Sequence, residues 1–358
     1  MGPTTVTTEG AERGPATPPT GAGDPAVAGS GEPVVVRPDH PLRRWWRSLH
    51  DPVGPRRPRS ELHRLRLVLT VAAMAALGFV APGALVFVAI LAAIVVIHEG
   101  GHFLVARRCG MRPTEFFVGF GPTVIARTSP SGVRWGLKAL PLGGYVKLPG
   151  MGPSEEVEAS DEPYTYRAAT RPRRLAVILA GVAANLLLAV ALFFAFAMTS
   201  PDVDAGVGRS LTGSVSLANE VATGTASGLG RLVTGADDYA GSVVRGEVPD
   251  NRMVSAVGGA QITAGLLDQH PSRLLLLAGL FSIAVAVLNL LPLLPLDGGH
   301  AALVLAEGAI ARVRRRPRYR LDPRTFRPVA VVVLVALLAL GASSMYLDVV
   351  HPITVTTG

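Results

Sequence analysis

The sequence predicts a polytopic α-helical membrane protein with about five transmembrane helices and a small membrane-associated β region between the second and third. Three observations carry that expectation. Mean hydropathy is +0.39. Hydrophobic residues make up 49% of the chain but aromatics only 6%, so the apolar content is Ala, Val and Leu in long runs. Basic residues gather beside alternate runs, as orientation across a bilayer requires.

Five apolar runs stand out, at 65–80, 84–106, 175–198, 274–294 and 329–347. The first is short for a span, but Arg64 and Arg66 can extend to the interface at its end. Ala81-Pro82-Gly83 separates it from the second. The segments before the first run, from Arg107 to Arg174, and from 309 to 328 are rich in arginine. Residues 201–272 carry only Arg209, Arg231, Arg245 and Arg252, outnumbered by acids. This alternation puts the N-terminus in the cytoplasm and the C-terminus outside. The formal net charge of +8 is thereby explained by the membrane, with no nucleic-acid partner. The single cysteine, Cys109, excludes an internal disulfide.

Residues 1–60 read as a disordered Pro/Gly-rich and then basic tail. Trp45 and Trp46 among arginines fit either a membrane-surface anchor or a solvated linker. Residues 111–150 hold short strand-like pieces at 114–120, 123–128, 133–140 and 145–148, with a turn signal at Pro130-Ser131-Gly132. An exposed strand edge beside a membrane site could hold an unwound substrate by strand addition. The alternative is a small structural sheet.

The chemistry centres on His98-Glu99-Gly100-Gly101-His102, near the end of the second run. On a helix, positions four apart lie about 40° apart in azimuth, so His98 and His102 share a face and can clamp one metal ion. Two imidazoles at this spacing suit Zn²⁺, and Glu99 suits a general base for the attacking water. Gly100 and Gly101 each cost about 1 kcal/mol in a helix interior, which makes sense if a substrate strand or another helix approaches there. A second constellation runs from Asn289 to His300, where Pro292 and Pro295 break the helix before Asp297-Gly298-Gly299. Asp297 can complete a site of two His and one carboxylate. Asn289, inside an apolar run, needs a partner: substrate backbone, the site, or a neighbouring helix. His300 reads as support for a ligand rather than a ligand.

Together these residues resemble the site-2 protease family of intramembrane zinc metalloproteases, in the manner of the bacterial regulator-of-sigma-E proteases. HEGGH at 98–102 is similar to the family's HExxH, and Leu296-Asp297-Gly298 to its LDG motif with Asn289 ahead of it. Phe117 to Pro122 and Pro141 to Lys147 resemble its β region. The resemblance covers 84–308, apart from part of 201–272. It implies zinc ligation by His98, His102 and Asp297, water activation by Glu99 and substrate contact by Asn289. It implies single-span membrane proteins as substrates, anti-sigma factors or signal-peptide remnants among them, in a bacterial plasma membrane. The chain departs from the family where Ala180-Gly181-Val182-Ala183-Ala184-Asn185 lacks a proline, so that Gly181 and Asn185 suggest close helix packing. It departs again in 201–272, which is too short for a PDZ domain once its later part is matched. The competing readings are a non-proteolytic metal-binding scaffold, which has no need of Glu99, and a transporter, which would call for a paired inverted repeat that is not seen.

Overall fold

The computed structural model describes residues 60–152, 155–200, 206–249, 252–267, 271–315, 320–321 and 323–353. The expected tail over 1–59 and its Trp45–Trp46 pair lie outside them.

Helix α1 (Ser60–Val80) is followed at once by α2 (Pro82–Arg108), with Ala81 as the joint and Pro82 in the first turn of α2, where its missing N–H costs nothing. A Schellman motif ends α2: Gly110 takes φ +82°, Gly110 N–H donates to Arg107 O at 3.1 Å, and Met111 N–H donates to Ala106 O at 2.9 Å. Met111 and Ala106 are both buried in one cluster, the apolar contact that accompanies this cap.

The β region consists of two long strands, β1 (Glu115–Thr128) and β2 (Arg134–Lys147). Each bends on itself at glycines of positive φ: Gly119 and Gly121 in β1, Gly143 in β2. They therefore pair in three registers. The first arms run parallel, from Glu115↔Arg134 to Val118↔Leu137. The first arm of β1 also pairs antiparallel with the last arm of β2, from Glu115↔Lys147 to Val118↔Gly144. The second arm of β1 pairs antiparallel with the first arm of β2, from Thr123↔Lys138 to Thr128↔Arg134. The turn at 130–132 closes this last pairing, with Ser129 N–H donating to Val133 O at 2.8 Å. Arm by arm, 144–147 lies at one edge of the sheet and 123–128 at the other.

Helix α3 (Arg171–Thr199) is central and packs on α2, α4 (Val207–Thr234), α7 (Ser272–Leu290) and α8 (Asp297–Val313). One core cluster joins Ala106, Met111, Leu148, Val177, Ile178 and Val304, and so ties the end of α2 and the end of the sheet to α3 and α8. Another joins Ala189, Phe193, Ala218 and Ile283 of α3, α4 and α7. Between α4 and α7 lie α5 (Ala236–Arg245) and α6 (Ala256–Leu267), and α6 packs on α2. The last helix, α9 (Arg327–Val350), is peripheral: 6% of its most apolar stretch is buried, against 39% for α3.

Among the described residues, four helices are long and apolar enough to cross a membrane: α2, α3, α7 and α9. The expectation is about five, and the run at 65–80 is the one not among these four. The apolar part of α1, Leu65–Val80, is a shorter helix. Helix α7 also stops at Leu290, before the expected 294, and 291–296 leads without regular structure into α8.

Candidate metal centre

Helix α2 brings His98 and His102 onto one face, and the first residue of α8 brings Asp297 against them. His98 Nε2 lies 3.1 Å from Asp297 Oδ2, and His102 Nε2 lies 3.2 Å from the same oxygen. The two Nε2 atoms are 3.2 Å apart. A tetrahedral ion with bonds of about 2.0–2.1 Å holds its ligand atoms about 3.3 Å apart, so this triangle fits zinc. The Asp297 oxygen adds a chemical argument. It is buried and accepts no hydrogen bond, although two imidazole nitrogens stand beside it. Two imidazole nitrogens and a carboxylate oxygen that converge to about 3 Å of one another are the donor set a cation requires. Among the described residues, this trio is the one group of three or more His, Cys, Asp or Glu side chains close enough to share an ion.

The proline-broken stretch sets Asp297 in place. A Cβ on Gly298 would collide with the backbone oxygens of Leu290 and Leu291, and one on Gly299 would lie 2.5 Å from Leu294 N. The two glycines thus let the chain fold tightly back from α7 into α8. Glu99 borders the sheet: a Cβ on Gly144 would lie 3.2 Å from Glu99 Cγ and 3.0 Å from Val95 Cγ1. The edge arm of β2 therefore runs directly beside Glu99.

The two glycines of HEGGH differ in surroundings. A Cβ on Gly101 would lie 2.5 Å from Ala180 O of α3, whereas one on Gly100 would meet nothing within 4 Å. Gly101 thus serves helix packing, and Gly100 borders open space.

Helix α3 supplies the surroundings of both imidazoles. His102 Nδ1–H donates to Val177 O at 2.8 Å, and Asn185 Nδ2 stands 3.2 Å from His98 Nδ1. Between them, a Cβ on Gly181 would strike His102 Nε2 and His98 Cε1. The sequence reading placed Gly181 and Asn185 on a packed helix but missed their contact with the site. A lone Asn in an apolar span, four residues after a glycine, was the available signal.

Asn289 is half-buried and donates from Nδ2 to Val285 O at 3.0 Å, within its own helix. His300 is half-buried one turn beyond Asp297 and has no hydrogen bond to a ligand; support comes from α3 instead. Cys109 packs half-buried against the Ala106–Met111 cluster, away from the ligand set. In the sheet, Tyr145 Oη–H donates to Glu115 Oε2 at 2.7 Å, and burial with the Glu115 carboxylate holds the phenol well above its ordinary pKa. Burial lowers the Lys138 ammonium, which lies 4.7 Å from the Tyr145 ring centroid.

Two imidazoles and a carboxylate with convergent lone pairs, and a second carboxylate on the adjoining residue, form the donor set of a hydrolytic metal site. Here both histidines stand on α2, one of the helices long and apolar enough to cross a membrane, which defines a membrane-embedded metallohydrolase. The chain belongs to peptidase family M50, whose model matches residues 86–339. It is 27% identical over 345 residues to Atu1380, a candidate zinc metalloprotease of Agrobacterium fabrum, covering 68% of this chain and 90% of that protein. It is 42% identical over 105 residues to the zinc metalloprotease Rip1 of Mycobacterium tuberculosis, covering 29% of this chain and 26% of Rip1. It is 34% identical over 140 residues to the regulator of sigma-E protease RseP of Salmonella typhimurium, covering 39% of this chain and 31% of RseP. Site and family together make the chain an intramembrane zinc metalloprotease of a bacterial-type, multi-pass membrane protein family.

Proposed function

We propose that this protease cleaves the transmembrane segments of single-span membrane proteins, anti-sigma factors or signal-peptide remnants among them, on the cytoplasmic side of the bilayer. The observation that carries the reading is the edge arm 144–147 of β2 running beside Glu99. A transmembrane helix hides its peptide bonds in its own hydrogen bonds. An unwound segment can regain those bonds by adding to a sheet edge, and this edge would deliver it to the base.

In this reading His98, His102 and Asp297, whose Nε2, Nε2 and Oδ2 atoms converge, would hold the ion. Zinc, when bound, supplies a Lewis acid that polarises a peptide carbonyl and acidifies water toward neutrality. Glu99 takes a proton from the attacking water and returns it to the amide nitrogen of the leaving strand, so that one water is consumed per bond cut. In this reading Asn289, at the last turn of α7, contacts the substrate backbone. Positive charge on alternate segments supports an N-terminus in the cytoplasm and the site toward that side. The three helices over 207–267 support a loop without a PDZ domain.

The test is cleavage of a single-span substrate by the purified chain, with cut positions read by mass spectrometry. Wild type is expected to cut within the span. Glu99→Gln is expected to keep zinc and lose about 10²–10⁴-fold in rate. Equal cutting by Glu99→Gln would overturn the assignment of the base. Cutting only outside the span would overturn the substrate class.

A further inference from the structure

We infer that Asn185 is a positioning residue of the metal centre: its amide oxygen accepts the Nδ1–H of His98 and so fixes the tautomer that leaves Nε2 free for the ion. The inference rests on the zinc protease reading and deepens it.

The two histidines have unlike partners. His102 Nδ1–H donates to a backbone carbonyl, Val177 O at 2.8 Å, and this bond leaves Nε2 with its lone pair. His98 Nδ1 instead faces Asn185 Nδ2 at 3.2 Å. An amide N–H donates, so this contact needs a lone pair on His98 Nδ1, which puts the His98 proton on Nε2. That is the atom 3.1 Å from Asp297 Oδ2 and 3.2 Å from His102 Nε2. A protonated Nε2 cannot ligate a metal.

The other end of the same amide resolves the conflict. Asn185 is fully buried, and its Oδ1 has no hydrogen-bond partner. The oxygen and nitrogen of an amide are told apart by their hydrogen bonds. Turning the amide over puts the orphaned oxygen on His98 Nδ1, where it accepts the proton and frees Nε2. The backbone of Asn185 is already fixed, because Ser282 Oγ–H from α7 donates to Asn185 O at 2.8 Å. Helix α3 thus presents Val177, Gly181 and Asn185, four residues apart, as one stripe: an acceptor for His102, room for both rings, and an acceptor for His98.

The experiment measures metal binding by the full chain in detergent, without reference to proteolysis. Zn²⁺ affinity is read by chelator competition, and ligand geometry by the visible absorption of the Co²⁺-loaded protein. Asn185→Leu keeps the size and removes the acceptor; it is expected to lose about 10–100-fold in Zn²⁺ affinity. Asn185→Asp restores an acceptor to the same nitrogen. It is expected to recover both affinity and the wild-type Co²⁺ spectrum. Asn185→Ala repeats the deletion without a branched side chain, should the leucine variant not fold. If the deletion variants bind Zn²⁺ like wild type, the inference is overturned. If the aspartate variant is as weak as the deletions, Asn185 acts through packing, and the inference is likewise overturned. A wild type that binds no Zn²⁺ fails at the earlier step and overturns the zinc protease reading itself.

Discussion

Two carboxylates, Asp297 and Asp348, have opposite surroundings. Asp348 is fully buried near the end of α9, and its oxygens are saturated. Arg252 Nε donates to Oδ1 at 3.0 Å and Arg252 Nη2 adds a second bond, while Ser255 N–H and Gly258 N–H donate to Oδ2 at 2.7 and 3.2 Å. Asp297 Oδ2 is also buried, yet it accepts nothing. A carboxylate that serves the fold has its lone pairs filled by the protein. A carboxylate that serves a metal is left open by it, and the fold carries the cost of that opening.

The comparison is broken most decisively by removing each acid in turn. Asp297→Ala is expected to abolish zinc binding and bring proteolysis to background, with the thermal midpoint held within a few degrees because no filled hydrogen bond is lost. Zinc content per chain and a melting curve of the metal-free protein check this. A large fall in midpoint would make Asp297 a structural acid like Asp348. Asp348→Ala is expected to do the reverse. It leaves half-buried Arg252 without its carboxylate and the Ser255 and Gly258 N–H groups without their acceptor, and costs about 1–3 kcal/mol of stability, while the folded fraction keeps its full zinc complement. Loss of zinc from folded protein would couple the two carboxylates.

The glycines of HEGGH sharpen the same contrast between filled and open space. Gly101→Ala drives a methyl into the backbone of Ala180 and is expected to cost about 1–3 kcal/mol, with weakened zinc affinity as α2 and α3 separate. Gly100→Ala meets nothing within 4 Å and is expected to be neutral in stability or to gain up to about 1 kcal/mol from helix propensity. Paired melting curves decide between them. A slower protease with an unaltered midpoint for Gly100→Ala would mark that open space as the path of the substrate.

Much of this was legible from short-range signals. The spacing of His98 and His102 fixes a shared helical face, and the proline-broken end at 291–296 marks Asp297. The strand pieces at 114–120, 123–128, 133–140 and 145–148 correspond to the arms of β1 and β2. What escaped depends on distances across the fold. The parallel pairing of Glu115–Val118 with Arg134–Leu137 requires both strands to bend, and nothing local shows which arm lies innermost. HEGGH presents two equivalent glycines, and only the path of α3 makes Gly101 tight and Gly100 free. The run at 65–80 has the composition of a span, and the periodicity of an apolar helix does not by itself show whether it crosses. Asn185 was visible as a polar residue in lipid, but its partner lies 87 positions away in the chain.

The smallest expected effect tests whether the filled bonds of the sheet are independent of the open metal centre. Tyr145 stands next to Gly144, which borders Glu99, and its own hydroxyl is bonded to Glu115. Tyr145→Phe removes that half-buried bond and is expected to cost about 0.5–1.5 kcal/mol, with zinc affinity unaltered. The contact also has a predicted pH dependence. Burial and Glu115 raise the folded phenol above its unfolded value of about 10, so the stabilisation is complete below about pH 10 and is lost as pH rises through the higher folded value. Wild type and Tyr145→Phe should therefore differ by a constant amount from neutral pH to about 9 and converge above 10. If the variant also loses zinc affinity, the edge arm 144–147 is part of the support of the metal centre, and the sheet is more than a surface on which a substrate strand can lie.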